Sequence, residues 1–345
     1  MVSVWLLSDP MLRILLFDTF VTPVWDRKWL WALYLSTWVL SWLLHDSLNV
    51  LQILFFLFGL VVFTIPHGAS DLHIPAWILN PPWENRVSYW ILSIGLFTIL
   101  GAFTWALSTI SINFVIALFT GLIIWHWGSM DTIHIYPNRG PAWVIGSVGR
   151  GLLVMIAPLY FRPLETQEII LGLINAEQSH ILRTLYSYSK YLIILAIILE
   201  LTAFLANKFI EGNGLPRTMA AHAMESLLLL LTFKLADPVI GLTFYFLILH
   251  SIRHMARAVD YIPEGRSHIL DGGGLLKTLP NLFQRTNLVT FLAGFILAGW
   301  FAWQLKSGSS FHEASLGCLL PIILLMIPHT LISLMTDFNP KRSDI

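Results

Sequence analysis

Charge is what this chain most lacks. Asp, Glu, Lys and Arg make up 12% of its 345 residues, about half of the roughly 25% that a soluble domain carries. Too few polar side chains remain to cover a water-facing surface, which excludes an ordinary soluble enzyme and a disordered adaptor. Neither sign is in excess, with 20 Lys plus Arg against 20 Asp plus Glu, so a nucleic-acid partner has no electrostatic support. Cysteine is nearly absent. Cys318 alone cannot form an intramolecular disulfide, a thiolate zinc cluster or an iron–sulfur centre. What is abundant is apolar: 56% of residues are hydrophobic, 15 of them Trp, and the chain also holds 12 His. Tryptophan suits the interfacial belts of a membrane protein. So many histidines in so apolar a chain have no comparable explanation.

A hydrocarbon core roughly 30 Å thick takes about 20 helical residues to cross. Apolar runs of about that length fall near 29–45, 48–65, 87–106, 111–127, 142–160, 191–207, 219–236, 239–257, 288–304 and 314–336. The expected fold is an all-α polytopic membrane helix bundle of about ten spans. Residues 1–28 read as an N-terminal interfacial segment, since Asp9, Pro10, Arg13 and Asp18 interrupt its apolar stretch and no basic start marks a signal peptide. Residues 29–336 form one transmembrane domain and 337–345 a C-terminal tail. The weakest spans are the fifth, which contains Arg150, and the seventh, with His222, Glu225 and Lys234. Positive charges gather at Arg27, Lys28, Arg257, Arg266, Lys277, Arg285, Lys341 and Arg342, whereas 46–47 and 107–110 have none. The positive-inside rule then makes both termini and the 258–287 loop cytoplasmic. Residues 161–190 lie outside, as a loop with a short surface helix. No fixed-period repeat appears, and Asp271-Gly-Gly-Gly274 reads as a loop turn.

On this map the histidines converge. His67 ends span two in Pro66-His-Gly-Ala-Ser-Asp71, and His126 ends span four in His126-Trp-Gly-Ser-Met-Asp131. His250 and His254 lie in the last turns of span eight, and His329 follows Pro328 in span ten. Even-numbered spans all finish at the cytoplasmic face, so these residues meet on one side. His250 and His254, four apart, share a helix face and could reach one metal ion at about 2.0–2.1 Å per bond. A lone intramembrane histidine is more often a hydrogen-bonded packing residue, and His329 has no neighbour that repeats the pattern. His45, His73, His134, His180, His222, His268 and His312 read as solvated or interfacial. Asp71 and Asp131 follow two of the histidines closely and could hold their second ring nitrogen, or cap a loop and meet Arg86 or Arg139. Glu200 and Glu225 lie within spans, where charge usually faces a partner; Arg150 and Lys234 are candidates.

An all-nitrogen ligand set without cysteine suits Zn, Fe, Cu or Ni. No His-Glu-x-x-His motif is present, which argues against a zincin-type protease, and the denser His-His clusters of membrane di-iron desaturases are also missing. A membrane zinc hydrolase acting on a lipid amide or ester stays open, as does a transporter using intramembrane His, Glu and Arg as a relay. Against the transporter stands the absence of an inverted repeat or interrupted midplane helices.

Pro66-His-Gly-Ala-Ser-Asp71, His126-Trp-Gly-Ser-Met-Asp131 and His250-Ser-Ile-Arg-His254, in this order on several spans, resemble the Brp/Blh family of bacterial and archaeal membrane β-carotene 15,15′-dioxygenases associated with microbial rhodopsins. The likeness runs from about residue 60 to the C-terminus, while the first span and the N-terminal apolar stretch look like additions. It implies that His67, His126, His250 and His254 bind Fe(2+), with O2 as co-substrate. The implied reaction opens the central double bond of β-carotene to give two molecules of all-trans-retinal. It implies a multi-pass cell-membrane protein whose metal site faces the cytoplasm, with a carotenoid from the bilayer as substrate. Pro328-His329 also resembles a family segment, without an implied ligand role. Trp125, Trp127, Phe244 and Phe246 flank the ligands and are candidates to line a polyene tunnel, although lipid-facing packing explains them equally well.

Overall fold

A computed structural model describes residues 27–43, 49–79, 81–133, 135–136, 139–174, 179–210, 217–259, 261–262 and 274–338. The described residues contain helices and no strand. They run α1 (Arg27–Leu43), α2 (Val50–Asp71), α3 (Ile74–Leu79), α4 (Val87–Ile110), α5 (Ile112–Thr132), α6 (Pro141–Phe161) and α7 (Pro163–Ile174). There follow α8 (His180–Phe209), α9 (Arg217–Leu235), α10 (Pro238–Val259), α11 (Gly274–Lys306), α12 (Phe311–Leu324) and α13 (Met326–Asp337).

Among the described residues, 7 helices are long and apolar enough to cross a membrane, or 8 if α12 and α13, bent by 54° at Leu325, form one broken span. These correspond to eight of the ten apolar runs. The other two give α1 and α9. In α9 two of the polar residues that weakened the span are turned inward, with His222 1% and Glu225 5% exposed, while Lys234 is exposed. Where a loop with a short surface helix was expected over 161–190, α7 lines an apolar cleft through Thr166, Ile169 and Ile170, and α8 already begins at His180. Residues 1–26 and 339–345, which hold nearly all of the expected interfacial segment and tail, lie outside the described residues, as do His45, His134 and His268. Arg257 is buried against Asp337 at 2.6 Å, so it is a structural charge rather than a marker of orientation.

The bundle is built around α6, which packs on α5 and α8. Glycine permits the closest of these approaches. A Cβ on Gly128 of α5 would stand 1.7 Å from the Ser147 carbonyl oxygen of α6, and one on Gly151 would stand 1.7 Å from that of Ile124. Two helices depart from α-winding. Leu60–Thr64 in α2 and Thr243–His250 in α10 are π-helical, and Ile65 N–H bonds to the Leu60 carbonyl five residues back. Pro66 has no amide hydrogen to continue an α-ladder, so widened winding just before it is the local accommodation. The two π segments pack together, with Thr64 Oγ1 donating to the Leu247 carbonyl at 3.3 Å.

Candidate metal centre

Four helices each deliver one imidazole to a common point. His67 follows the π turn of α2, His126 lies near the end of α5, His250 closes the π segment of α10, and His329 stands on α13 beyond the bend. The Nε2 atoms of His126 and His250 are 3.0 Å apart, those of His126 and His329 2.8 Å, and those of His67 and His329 3.3 Å. All four ligand atoms lie within 4.8 Å of one another. His126 and His250 are fully buried and His67 is 4% exposed.

The donor set fits a transition-metal ion. Two nitrogens bound to one ion at about 2.0–2.1 Å lie about 2.9 Å apart at a right angle and about 3.4 Å apart at a tetrahedral one. The observed separations fall close to that interval. Without a cation, several Nε2 lone pairs would face each other in a dry interior, an arrangement that burial makes costly. The outward nitrogens are partly held: His329 Nδ1 lies 2.5 Å from Asp71 Oδ2, and His67 Nδ1 lies 3.0 Å from Ser251 Oγ.

His254 stands beside this group. Its ring stacks on that of His67 with centroids 4.2 Å apart, and its Nε2 is 3.7 Å from Asp71 Oδ1. Asp71, His254 and His329 form a second group whose ligand atoms lie within 4.8 Å of one another. His250 and His254 share a helix face, yet their ring centroids are 6.4 Å apart. The nitrogen brought to His67, His126 and His250 is therefore that of His329. The sequence signal for His329 was Pro328-His329, which repeats Pro66-His67 on another helix.

Asp71 sits where a histidine-orienting carboxylate belongs. Asp131 does not contact His126: it accepts from Tyr245 Oη at 3.1 Å and pairs with Arg253 at 2.5 Å and Arg150 at 3.8 Å. Arg253 also pairs with Glu225. Glu200 pairs with Arg150 at 3.4 Å and accepts from Ser226 at 2.5 Å. The intramembrane carboxylates thus form a buried ionic layer against the histidine cluster, with Arg253 rather than Lys234 on Glu225.

Two histidines expected to be solvated are buried instead. His222 accepts from Arg150 at 2.7 Å. His73, 3% exposed, meets Glu84 at 2.6 Å, and Trp77 Nε1 donates to the other Glu84 oxygen at 3.0 Å. Each lies beside a partner distant enough in sequence to hide the pairing. Burial pushes the Glu84 carboxyl up, but the His73 and Trp77 hydrogen bonds outweigh it and hold the group below the usual range.

An apolar cleft of about 1210 Å³, part of it open, lies near the cluster, with none of the five histidines in its lining. It follows α5 from Ile112 to Trp127, about 22 Å at 1.5 Å per residue. Trp127 and Phe246 line it and lie 6.1 Å and 6.4 Å, ring to ring, from His250. Trp125 and Phe244 do not. Trp125 donates to Asp337 at 3.2 Å, and Phe244 packs on Tyr34.

Residues 58–337 match the family model described as beta-carotene 15,15′-dioxygenase. The chain is 26% identical over 288 residues to a protein of Halobacterium salinarum named "Probable beta-carotene 15,15′-dioxygenase Blh", covering 78% of this chain and 79% of that one. No solved structure matches. The matched stretch begins just before the first π turn and ends on the last residue of α13, so it takes in all five clustered histidines, and the chain belongs to the beta-carotene 15,15′-dioxygenase family.

Proposed function

We propose that this membrane protein is an iron-dependent dioxygenase that cleaves β-carotene at its central 15,15′ double bond, giving two molecules of all-trans-retinal. The observation that carries the reading is the convergence of four imidazole nitrogens from four helices at one buried point, with an apolar cleft nearby. His67, His126, His250 and His329 would hold Fe(2+), with His254 as the fifth candidate beside them. Bound there, iron supplies the redox chemistry of O2 that side chains lack.

The protein's own residues do the rest. Asp71 fixes the tautomer and orientation of His329, and Ser251 does the same for His67. The cleft takes one arm of the polyene from the bilayer, Trp127 and Phe246 set its register against His250, and the packed walls exclude water. Family membership supports the substrate class, and the positive charges at the chain's ends support a cytoplasmic-facing site in the cell membrane. A microbial rhodopsin is the proposed consumer of the retinal.

Expression in a β-carotene-accumulating bacterium, with retinoids resolved by chromatography, tests the reading. Loss of carotenoid with appearance of retinal is expected, together with about one iron per chain in the purified protein. Zinc with no oxygen requirement would instead indicate a lipid hydrolase, and a metal-free protein a transporter. Replacing His67, His126 or His250 by Ala should abolish metal retention and turnover. His254→Ala and His329→Ala, compared for iron content, identify the fourth ligand.

A further inference from the structure

His329 faces two ways. Its Nε2 lies 2.8 Å from His126 Nε2 and 3.3 Å from His67 Nε2, within the four-imidazole group, while its Nδ1 lies 2.5 Å from Asp71 Oδ2. On that second side Asp71, His254 and His329 bring ligand atoms within 4.8 Å of one another. Asp71 and His254 are 1% and 2% exposed. Asp71 Oδ1 and His254 Nδ1 are buried without a hydrogen-bond partner among the described residues. Asp71 Oδ1 stands 3.7 Å from His254 Nε2. That is too far for a hydrogen bond, yet within the span of two atoms that share one ion at about 2.1 Å each.

Counting donors adds a second argument. Five imidazoles and one carboxylate converge here, and a six-coordinate ion that took them all would have no position left for a small molecule. Divided between two ions, they make two open sites. The four imidazoles complete the first. Asp71, His254 and His329 are then a two-histidine, one-carboxylate set, the donor type that holds non-haem Fe(II) with positions left open. We propose that these three residues bind a second divalent ion, Fe(2+) by donor type, beside the first. The His329 ring stands between the pair and gives up its remaining ring proton to solvent as the second ion binds. This rests on the metal centre proposed above but not on the carotenoid. Fewer ligands and repulsion from the neighbouring dication make the second ion the weaker, so purified protein keeps the first.

The full chain in detergent, stripped with a chelator and titrated with Co(2+) by equilibrium dialysis, tests this by metal content alone. The wild type should saturate at two ions per chain in two steps. His254→Ala and Asp71→Ala should lose the second step and saturate at one. A magnetic readout needs no variant: the electron paramagnetic resonance signal of the first Co(2+) should fall as the second binds, because ions bridged by one ring couple. Saturation of the wild type at one ion, a second ion that leaves the first signal unchanged, or a second step that survives in both variants overturns the inference. A wild type that binds one ion and forms retinal loses the inference and keeps the functional reading, whereas one that binds no ion overturns both.

Discussion

Asp71 shows how much one side chain can organise. It lies within reach of two histidines from different helices, at 2.5 Å from His329 and 3.7 Å from His254, and it sits one turn after a third, His67. Carboxylates behind liganding histidines typically contribute 10–100-fold in metal affinity. Asp71→Asn should therefore lose about that much affinity for iron, measured by metal retention against a chelator series, with little change in helix content. At this scale most of the site was legible in the sequence. His67, His126 and His250 stood at helix ends on one side, and Asp71 stood one turn beyond the first. The sequence reading placed His254 rather than His329 with the other three, because an i,i+4 spacing states that two residues share a face and says nothing of a competing imidazole arriving from a helix far along the chain. Asp131 was misjudged for a similar reason: its partners Tyr245 and Arg253 lie on α10.

Among elements, the α5–α6 contact and the ionic layer decide where the ligands sit. Gly128→Ala or Gly151→Ala forces a methyl group onto a backbone carbonyl, so the helices must part. Overpacking typically costs about 1–3 kcal/mol, and here it should exceed that and displace His126, two residues from Gly128. Thermal unfolding in detergent together with iron content checks this. Arg253 ties α10 to Asp131 of α5 and Glu225 of α9. Removing one partner of a buried pair costs about 3–5 kcal/mol, because the remaining charges lose their counter-ion. Arg253→Ala should therefore be far more damaging than Arg162→Ala, whose pairing with Glu165 is largely exposed. The π segments were invisible beforehand. Their only sequence trace is Pro66, while the segment in α10 contains no proline.

For the molecule as a whole, polarity among the described residues departs from that of a soluble domain: Asp71, Asp131, Arg150, Glu200, Glu225, Arg257 and Asp337 are buried, and long faces of α4 and α11 are apolar and exposed. Composition alone announced this, and hydropathy located the apolar helices, α9 included, whose His222 and Glu225 are turned to the core. Outside the spans, Glu84 joins the α3 region to α11 through Arg285 at 3.5 Å. Its depressed carboxyl contributes stability that is complete above the unfolded pKa, near 4.3, and is lost as pH falls through the lower folded value. Glu84→Gln should flatten the acid limb of the melting curve and leave the neutral plateau lower. Chelating the metal should loosen α13 first, seen as faster amide exchange there, since that helix is bent away from α12 and reaches the cluster through His329. The order of manufacture adds a consequence. His329 emerges 262 residues after His67, so a growing chain can bury three imidazoles in the bilayer long before the fourth exists. Under the proposed ligation by His329, loading would wait for the last helix to enter, and a chain halted before it would be an inserted but unfinished receptacle.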